Sequence, residues 1–316
     1  MGTSPLMTQG LLAGFRQVGM ATGSFPHRSW FKLSADKGLA ALAQDLGDTR
    51  PDVVVFGGYA PAYFEALGGM CHDAGAAFVY WAIEDPVGFE RTLFLARCAN
   101  HVFTTTAECI ERYSEHGIRA ALLLFAANPD YHRPGTYRPQ LDLDLALAAS
   151  FYGWKARMKG YEIILDAARD SGRSFRVWGA GWDSAQGRER LGDPSLHRGY
   201  LPNHMLPQLC ASALIVLGVQ SVDSSSTQTN MRPYEILGCR GFHLTQWTPA
   251  ISGIFVDGQH LVTATSREEA LDKINHYAAR ESERSRIAEC GQAHVYREHT
   301  YLHRVRDVVM PALRSG

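Results

Sequence analysis

Long apolar runs are the first thing this chain lacks. The longest, such as Ala121–Ala127, match one buried strand and fall far short of the ~20 residues that cross a bilayer, so no membrane span is expected. Charge of one sign is lacking too. Lys+Arg 31 against Asp+Glu 32 leaves no global field and no basic tract, which excludes nucleic acid and acidic lipid as expected partners. The six cysteines (Cys71, Cys98, Cys109, Cys210, Cys239 and Cys290) contain no CxxC pair. Buried reduced thiols are therefore expected, rather than a disulfide framework or a zinc site. Met1–Gly10 lacks the charged start and apolar core of a signal peptide, which makes a cytoplasmic protein the expectation. No GxSxG elbow, Walker motif or HExxH is present. His27, His72, His204 and His243 show no metal-ligand spacing, so no metal is expected.

What is there is a packed protein rich in turns, with 46% hydrophobic residues and 30 glycines. Its 316 residues have room for two domains. Apolar runs alternate with amphipathic segments throughout. Strands are expected at Val53–Gly57, Ala77–Ile83, His101–Thr105 and Ala121–Ala126, then at Leu145–Tyr152, Phe175–Gly179, Leu214–Val219, Phe242–Thr245 and His260–Thr263. Runs apolar on both faces and separated by helix-length segments predict an α/β fold of parallel sheets covered by helices. Helices are expected at Gln9–Val18, Leu39–Leu46, Pro61–Asp73, Ala107–His116, Lys159–Asp170 and Glu268–Tyr277. Ser266 and Glu269 form a capping box ahead of the last of these. A strand before the first helix is missing or reduced to Thr3–Met7. Asn128–Pro139, with three prolines and one glycine, has the composition of a linker. It separates residues 1–138 from 139–298, and Tyr301, Val305, Val308, Val309 and Ala312 mark a final helix in 299–316. A ligand is expected between two such domains.

The most informative stretch is Leu214–Thr245, a strand, a Ser/Thr-rich loop, and a short helix that opens at Arg232-Pro233 and carries Glu235. Pro233 suits the first helical position, and free amides at a helix start favour anions. Arg232 adds a planar fork matched to phosphate. Glu235, a turn further on, is a carboxylate suited to sugar hydroxyls. Phosphate and ribose are the two polar ends of a nucleotide half, so a nucleotide-sugar site is one reading. The other is a capping arrangement with a surface arginine.

Three further loops follow strands at their carboxyl ends, where open parallel sheets bind ligands. Gly153-Trp154-Lys155-Ala156-Arg157 offers two cations for a diphosphate, or an exposed basic turn. Gly179-Ala180-Gly181-Trp182 is too short for a dinucleotide fingerprint; Trp182 borders a base or the glycines merely shape a turn. In His197–Pro202, Gly199, Tyr200 and Leu201 present an extended backbone to a nucleobase edge. Thr227 and Asn230 complete the donor-side candidates. In the first half a strand ends in Glu84-Asp85-Pro86. Either carboxylate is placed to orient an acceptor hydroxyl or take its proton, and Asp85 before proline equally reads as a turn cap.

Together these segments resemble the spore-maturation CgeB-like glycosyltransferases of the GT-B superfamily. The likeness is strongest from Asn230 to Arg304, in NMRPYEILGCRGFHLT and a closing Glu298-His299-Thr300-Tyr301-x-x-Arg304. WAIEDP, FTTTAECIERYSEHG, FYGWKAR, VWGAGW and HRGYLP extend it over roughly residues 50–310. The resemblance implies two Rossmann-like domains facing a cleft, the donor on the second, a final helix crossing back to the first, and no metal. It also implies a Glu-x7-Glu pattern whose second member binds ribose. Glu235 holds that second position and Thr227 stands at the first.

The expected activity is transfer of a hexose or N-acetylhexosamine from a nucleotide-diphosphate sugar, a UDP-sugar first, to an unknown hydroxyl acceptor, with retention. Arg232, Lys155 and Arg157 stabilise the departing diphosphate, Glu235 holds the ribose, and Glu84 or Asp85 positions the acceptor. A nucleotide-sugar epimerase on the same fold and a non-catalytic nucleotide-sugar-binding protein are the competing expectations.

Overall fold

The computed structural model describes residues 5–25, 35–58 and 64–315. Thr3, His27 and the Pro61 start of one expected helix lie outside them. By compactness the chain divides into two units, one of 1–124 with Tyr301–Gly316 and one of Phe125–Thr300. The division falls ahead of the proline-rich segment, so Asn128–Pro139 belongs wholly to the second unit.

In the first unit, four parallel strands, β1 (Val53–Gly57), β2 (Ala77–Ala82), β3 (His101–Thr104) and β4 (Ala120–Leu122), lie in the order β1-β2-β3-β4. The central strand β2 is buried along nearly its whole length. Its residues alternate between two packed faces, as expected for a strand covered by helices on both sides. Phe78 and Tyr80 join Leu42, Leu93 and Tyr113 in one core cluster. The chain enters this unit as a helix, Pro5–Gln17, where a remnant strand was expected at Thr3–Met7. The last segment, Tyr301–Arg304 followed by a π-helical turn Val305–Val309 and Met310–Arg314, packs on that helix. Gly10 and Gly14 make room for it: a Cβ at Gly14 would lie 2.7 Å from the Tyr301 carbonyl oxygen. A cavity of about 640 Å³ lies beside β1, lined by residues including Phe15, Leu42, Val54 and Phe56.

The second unit holds five parallel strands, β5 (Leu143–Ala148), β6 (Phe175–Trp178), β7 (Ala213–Gly218), β8 (His243–Gln246) and β9 (Val262–Ala264), in the order β6-β5-β7-β8-β9. Among the described residues the nine strands fall on the apolar runs that predicted them, with ends moved by a few residues. Leu145, Leu147, Ile215, Leu217 and Leu244 pack with Tyr161, Ile164 and Ile274 of the covering helices. The order reverses between β5 and its neighbours, so loops after β5, β6 and β7 gather at the carboxyl edge. The helix Glu281–Glu298 is longer than any that apolar spacing predicted. Its buried face includes Arg284 and His294 beside Ile287, Ala288, Gly291 and Val295, too polar a stripe to be read from hydrophobicity.

Candidate functional site at the carboxyl edge of the second sheet

The loop between β7 and the helix Arg232–Gly238 is shaped by buried amides. The Gln220 backbone N–H donates to Gln246 Oε1 at 3.0 Å, and its side chain donates to Thr245 Oγ1. Gln220 Oε1 accepts from the Asn230 N–H, and Asn230 Nδ2 donates to the Val219 carbonyl at 2.6 Å. Asn230 Oδ1 then accepts from the Arg232 N–H at 3.0 Å, so both amide atoms of Asn230 are used in shaping the loop ahead of the helix. The partly buried Thr227 donates its N–H to Ser225 Oγ. Arg232 is the first residue of a seven-residue helix, with Pro233 second. So short a helix has little macrodipole, and the cation here is the Arg232 side chain itself.

Arg232 Nη1 donates to Glu235 Oε2 at 2.8 Å. The two side chains differ sharply in exposure: 30% of Arg232 is in solvent and 3% of Glu235. On the inner side, His132 Nε2 lies 3.7 Å from Glu235 Oε1 and is itself buried. Burial holds the His132 imidazole below its ordinary pKa, a shift the Glu235 charge opposes and Arg232 adds to. Glu235 is thus an interior carboxylate reached from solvent through Arg232. His132 comes from the linker-like segment, and no local sequence pattern marks it; only the fold brings it beneath Glu235.

Lys155 and Arg157, paired by sequence as diphosphate ligands, separate in the structure. The covering helix starts at Lys155, not Lys159, and positions two apart on a helix face different ways. Lys155 is exposed in the first turn. Arg157 is buried and clamps two loops, with Nε on the Tyr161 hydroxyl at 2.9 Å, Nη1 on Ser221 Oγ at 2.9 Å and Nη2 on the Ser150 carbonyl at 3.0 Å. Its role corrects to bracing. Trp154 stacks on Tyr152 with ring centroids 5.0 Å apart, and both remain partly in solvent.

Trp182 also corrects from a base-binding to a core residue. It is 1% exposed, packs on Phe151 and Tyr161, and donates Nε1–H to the Ala149 carbonyl at 2.7 Å. Gly179 and Gly181 have φ of 141° and 84°. A Cβ on Gly181 would sit 2.8 Å from the Phe151 carbonyl oxygen, so these glycines let the loops after β5 and β6 lie against each other. Gly199 stands in open space at the same edge, followed by Tyr200, 70% exposed, and the partly buried Leu201.

In the first unit Asp85 is 1% exposed. Its Oδ1 accepts from Thr92 at 2.5 Å, and its Oδ2 from Thr104 at 2.6 Å and from the Tyr113 hydroxyl at 3.1 Å. Burial outweighs these bonds and raises its carboxyl above the ordinary range. A carboxylate enclosed by three hydroxyls is a fastening of the core, which corrects the acceptor role given to it. Glu84 beside it is only partly buried, and burial raises its carboxyl too.

Among the described residues, His294, Glu298 and His299 bring potential metal-ligand atoms together. The Arg297 guanidinium already lies there, 2.8 Å from Glu298 Oε1 and 3.4 Å from His294 Nδ1. Among the described residues no helix is long and apolar enough to cross a membrane.

A glycosyl transferase-like family matches residues 157–309, which include Arg232 and Glu235. No curated protein sequence matches the chain. Among solved structures it is similar to Anabaena HepE in complex with UDP-glucose, at 14% identity and TM-score 0.62 over 88% of this chain and 82% of that one. Sucrose-phosphate synthase from Thermosynechococcus elongatus aligns at 11% identity and TM-score 0.61, over 93% and 81% of the two chains. A glycosyltransferase from Rickettsia africae aligns at 12% identity and TM-score 0.59, over 93% and 83%. The chain has the two-sheet α/β fold of GT-B glycosyltransferases.

Proposed function

We propose that the chain is a cytoplasmic CgeB-like glycosyltransferase. It moves a hexose or N-acetylhexosamine from a nucleotide-diphosphate sugar, a UDP-sugar first, to a hydroxyl acceptor, with retention and without a metal. One observation carries the reading: a part-exposed arginine tethered to a buried glutamate at the carboxyl edge of a parallel sheet. Two findings support it: the glycosyl transferase-like match spans both residues, and HepE is a fold relative solved with UDP-glucose.

In this reading Arg232 meets the diphosphate with its planar fork, and Lys155 adds a second positive charge from the exposed first turn of its helix. Negative charge grows on the departing phosphate as the glycosidic bond breaks. A donor brought to that place lowers the barrier, by roughly 10²–10³ in rate for one that is well placed. Two cationic side chains supply the neutralisation a metal provides elsewhere. Glu235 receives the ribose hydroxyls as Arg232 turns toward phosphate, and Glu84 is the carboxylate left to receive the acceptor's proton.

The test is a thermal-shift screen of UDP, GDP, dTDP and their sugars. A ligand at a hundred times its dissociation constant stabilises by about 2.7 kcal/mol. UDP compounds are expected to raise the melting temperature of the wild type and to lose that effect in Arg232→Ala. If no nucleotide stabilises the protein, the reading fails. Tight binding without hydrolysis or transfer leaves a binding protein in its place.

A further inference from the structure

The segment carrying His132 lies close against the helix Arg232–Gly238 and is bridged to it by Tyr296. The Tyr296 hydroxyl donates to the His132 carbonyl at 2.7 Å and also reaches the Gly238 carbonyl at 3.2 Å. Gln292 Nε2 donates to that same Gly238 oxygen at 2.9 Å. Gly238 has no side chain to intervene; a Cβ there would lie 2.9 Å from the Cβ of His132. The imidazole is therefore held beneath Glu235 by contacts that do not involve Glu235.

Its proton is located by its neighbours. The Asn128 backbone N–H donates to His132 Nδ1 at 3.0 Å, and a ring nitrogen that accepts carries no hydrogen. In the neutral ring the hydrogen is then on Nε2. That atom is buried, has no hydrogen-bond partner, and lies 3.7 Å from Glu235 Oε1. A buried donor left unmade is expensive, and so is a buried carboxylate without a partner. Here the two face each other across less than an ångström beyond bonding distance.

We infer that His132 is a positioning residue for the donor site, the inner partner that holds Glu235 when Arg232 leaves it for the diphosphate. In the structure Arg232 satisfies Oε2 and His132 stands at Oε1. When the guanidinium swings outward, the Nε2–H closes on Oε1, and the carboxylate stays aimed, with Oε2 open to a ribose hydroxyl. Arg232 can then serve the phosphate without stranding a charge in the interior. This deepens the proposed function and rests on it.

The experiment compares two substitutions that split the imidazole's roles. His132→Asn keeps an acceptor for the Asn128 N–H and removes the Nε2 donor; His132→Gln restores a donor at the Nε2 position and gives up the Asn128 bond. UDP affinity is measured by calorimetry on both and on the wild type. Alongside it, the long-range ¹H–¹⁵N spectrum of His132 reports its tautomer. The expected result is an Nε2–H tautomer and UDP binding about tenfold weaker in His132→Asn, the worth of one hydrogen bond to a charged group. His132→Gln is expected to stay within about threefold of the wild type. A purely structural histidine predicts the reverse order, because His132→Asn preserves the turn. Equal loss in both variants, loss only in His132→Gln, or an Nδ1–H tautomer overturns the inference while leaving the donor reading intact. A wild type that does not bind UDP overturns the donor reading and this inference with it.

Discussion

Asp85 and Glu235 are both almost completely buried carboxylates, at 1% and 2% exposure, and they do opposite things. Asp85 is surrounded by the neutral hydroxyls of Thr92, Thr104 and Tyr113, all interior. Glu235 is bonded to a cation with 30% of its side chain in solvent, and backed by an imidazole with a spare N–H. The first arrangement is closed: every partner is used and none touches water. The second is open at one end. A buried acid, then, is no mark of function by itself; what matters is whether a chain of partners leads from it to the surface.

The strongest way to break this contrast is Asp85→Ala. It removes the acceptor shared by three interior hydroxyls, and the expected loss is about 3 kcal/mol of stability with UDP affinity unchanged, read by denaturant unfolding and calorimetry. A variant that keeps its stability but loses UDP would give Asp85 a part in substrate binding.

Acid sharpens the comparison next. His243, fully buried, is pushed down to about 4 by desolvation. Because its folded pKa lies below the unfolded value near 6.5, the unfolded chain takes the proton first. Its stabilising contribution is complete above about pH 6.5 and falls away as the pH drops toward 4. Asp85 has the opposite sign, since a raised carboxyl makes the folded form the better proton acceptor as pH falls. The second unit is therefore expected to be the acid-labile one, losing about 2 kcal/mol between pH 6.5 and 5 through His243. Unfolding followed at both pH values in wild type and His243→Gln checks this, and an unchanged pH slope in the variant refutes it. The smallest effect is expected from Glu235→Gln. It changes stability by under about 1 kcal/mol, because Arg232 relaxes into solvent, yet weakens UDP binding about tenfold.

Much of this was legible beforehand. Strands of Val, Ile, Leu and Phe announce themselves because a parallel strand is apolar on both faces. Arg232 and Glu235 were legible because a proline-marked helix start placed them one turn apart. Three readings failed for physical reasons. Arg157 reads as a ligand when its helix is started a turn late at Lys159, which hides that it and Lys155 point apart. Trp182 and Asp85 stood in loops, where polar and aromatic residues suggest contact with solutes, but long-range packing turned both inward. His132 was invisible because its meaning lies in residues a hundred positions away. The helix Glu281–Glu298 went unseen because arginine and histidine occupy places on its buried face.

The first unit is discontinuous along the chain, since Tyr301–Gly316 completes what 1–124 begins. Domains generally fold in the order in which the ribosome releases them. Here 1–124 waits with Gly10 and Gly14 facing an empty berth until Tyr301–Arg304 has been made, while Phe125–Thr300 is free to mature in between. The unit that is begun first is the one completed last, and removing Tyr301–Arg314 would be felt at the helix Pro5–Gln17.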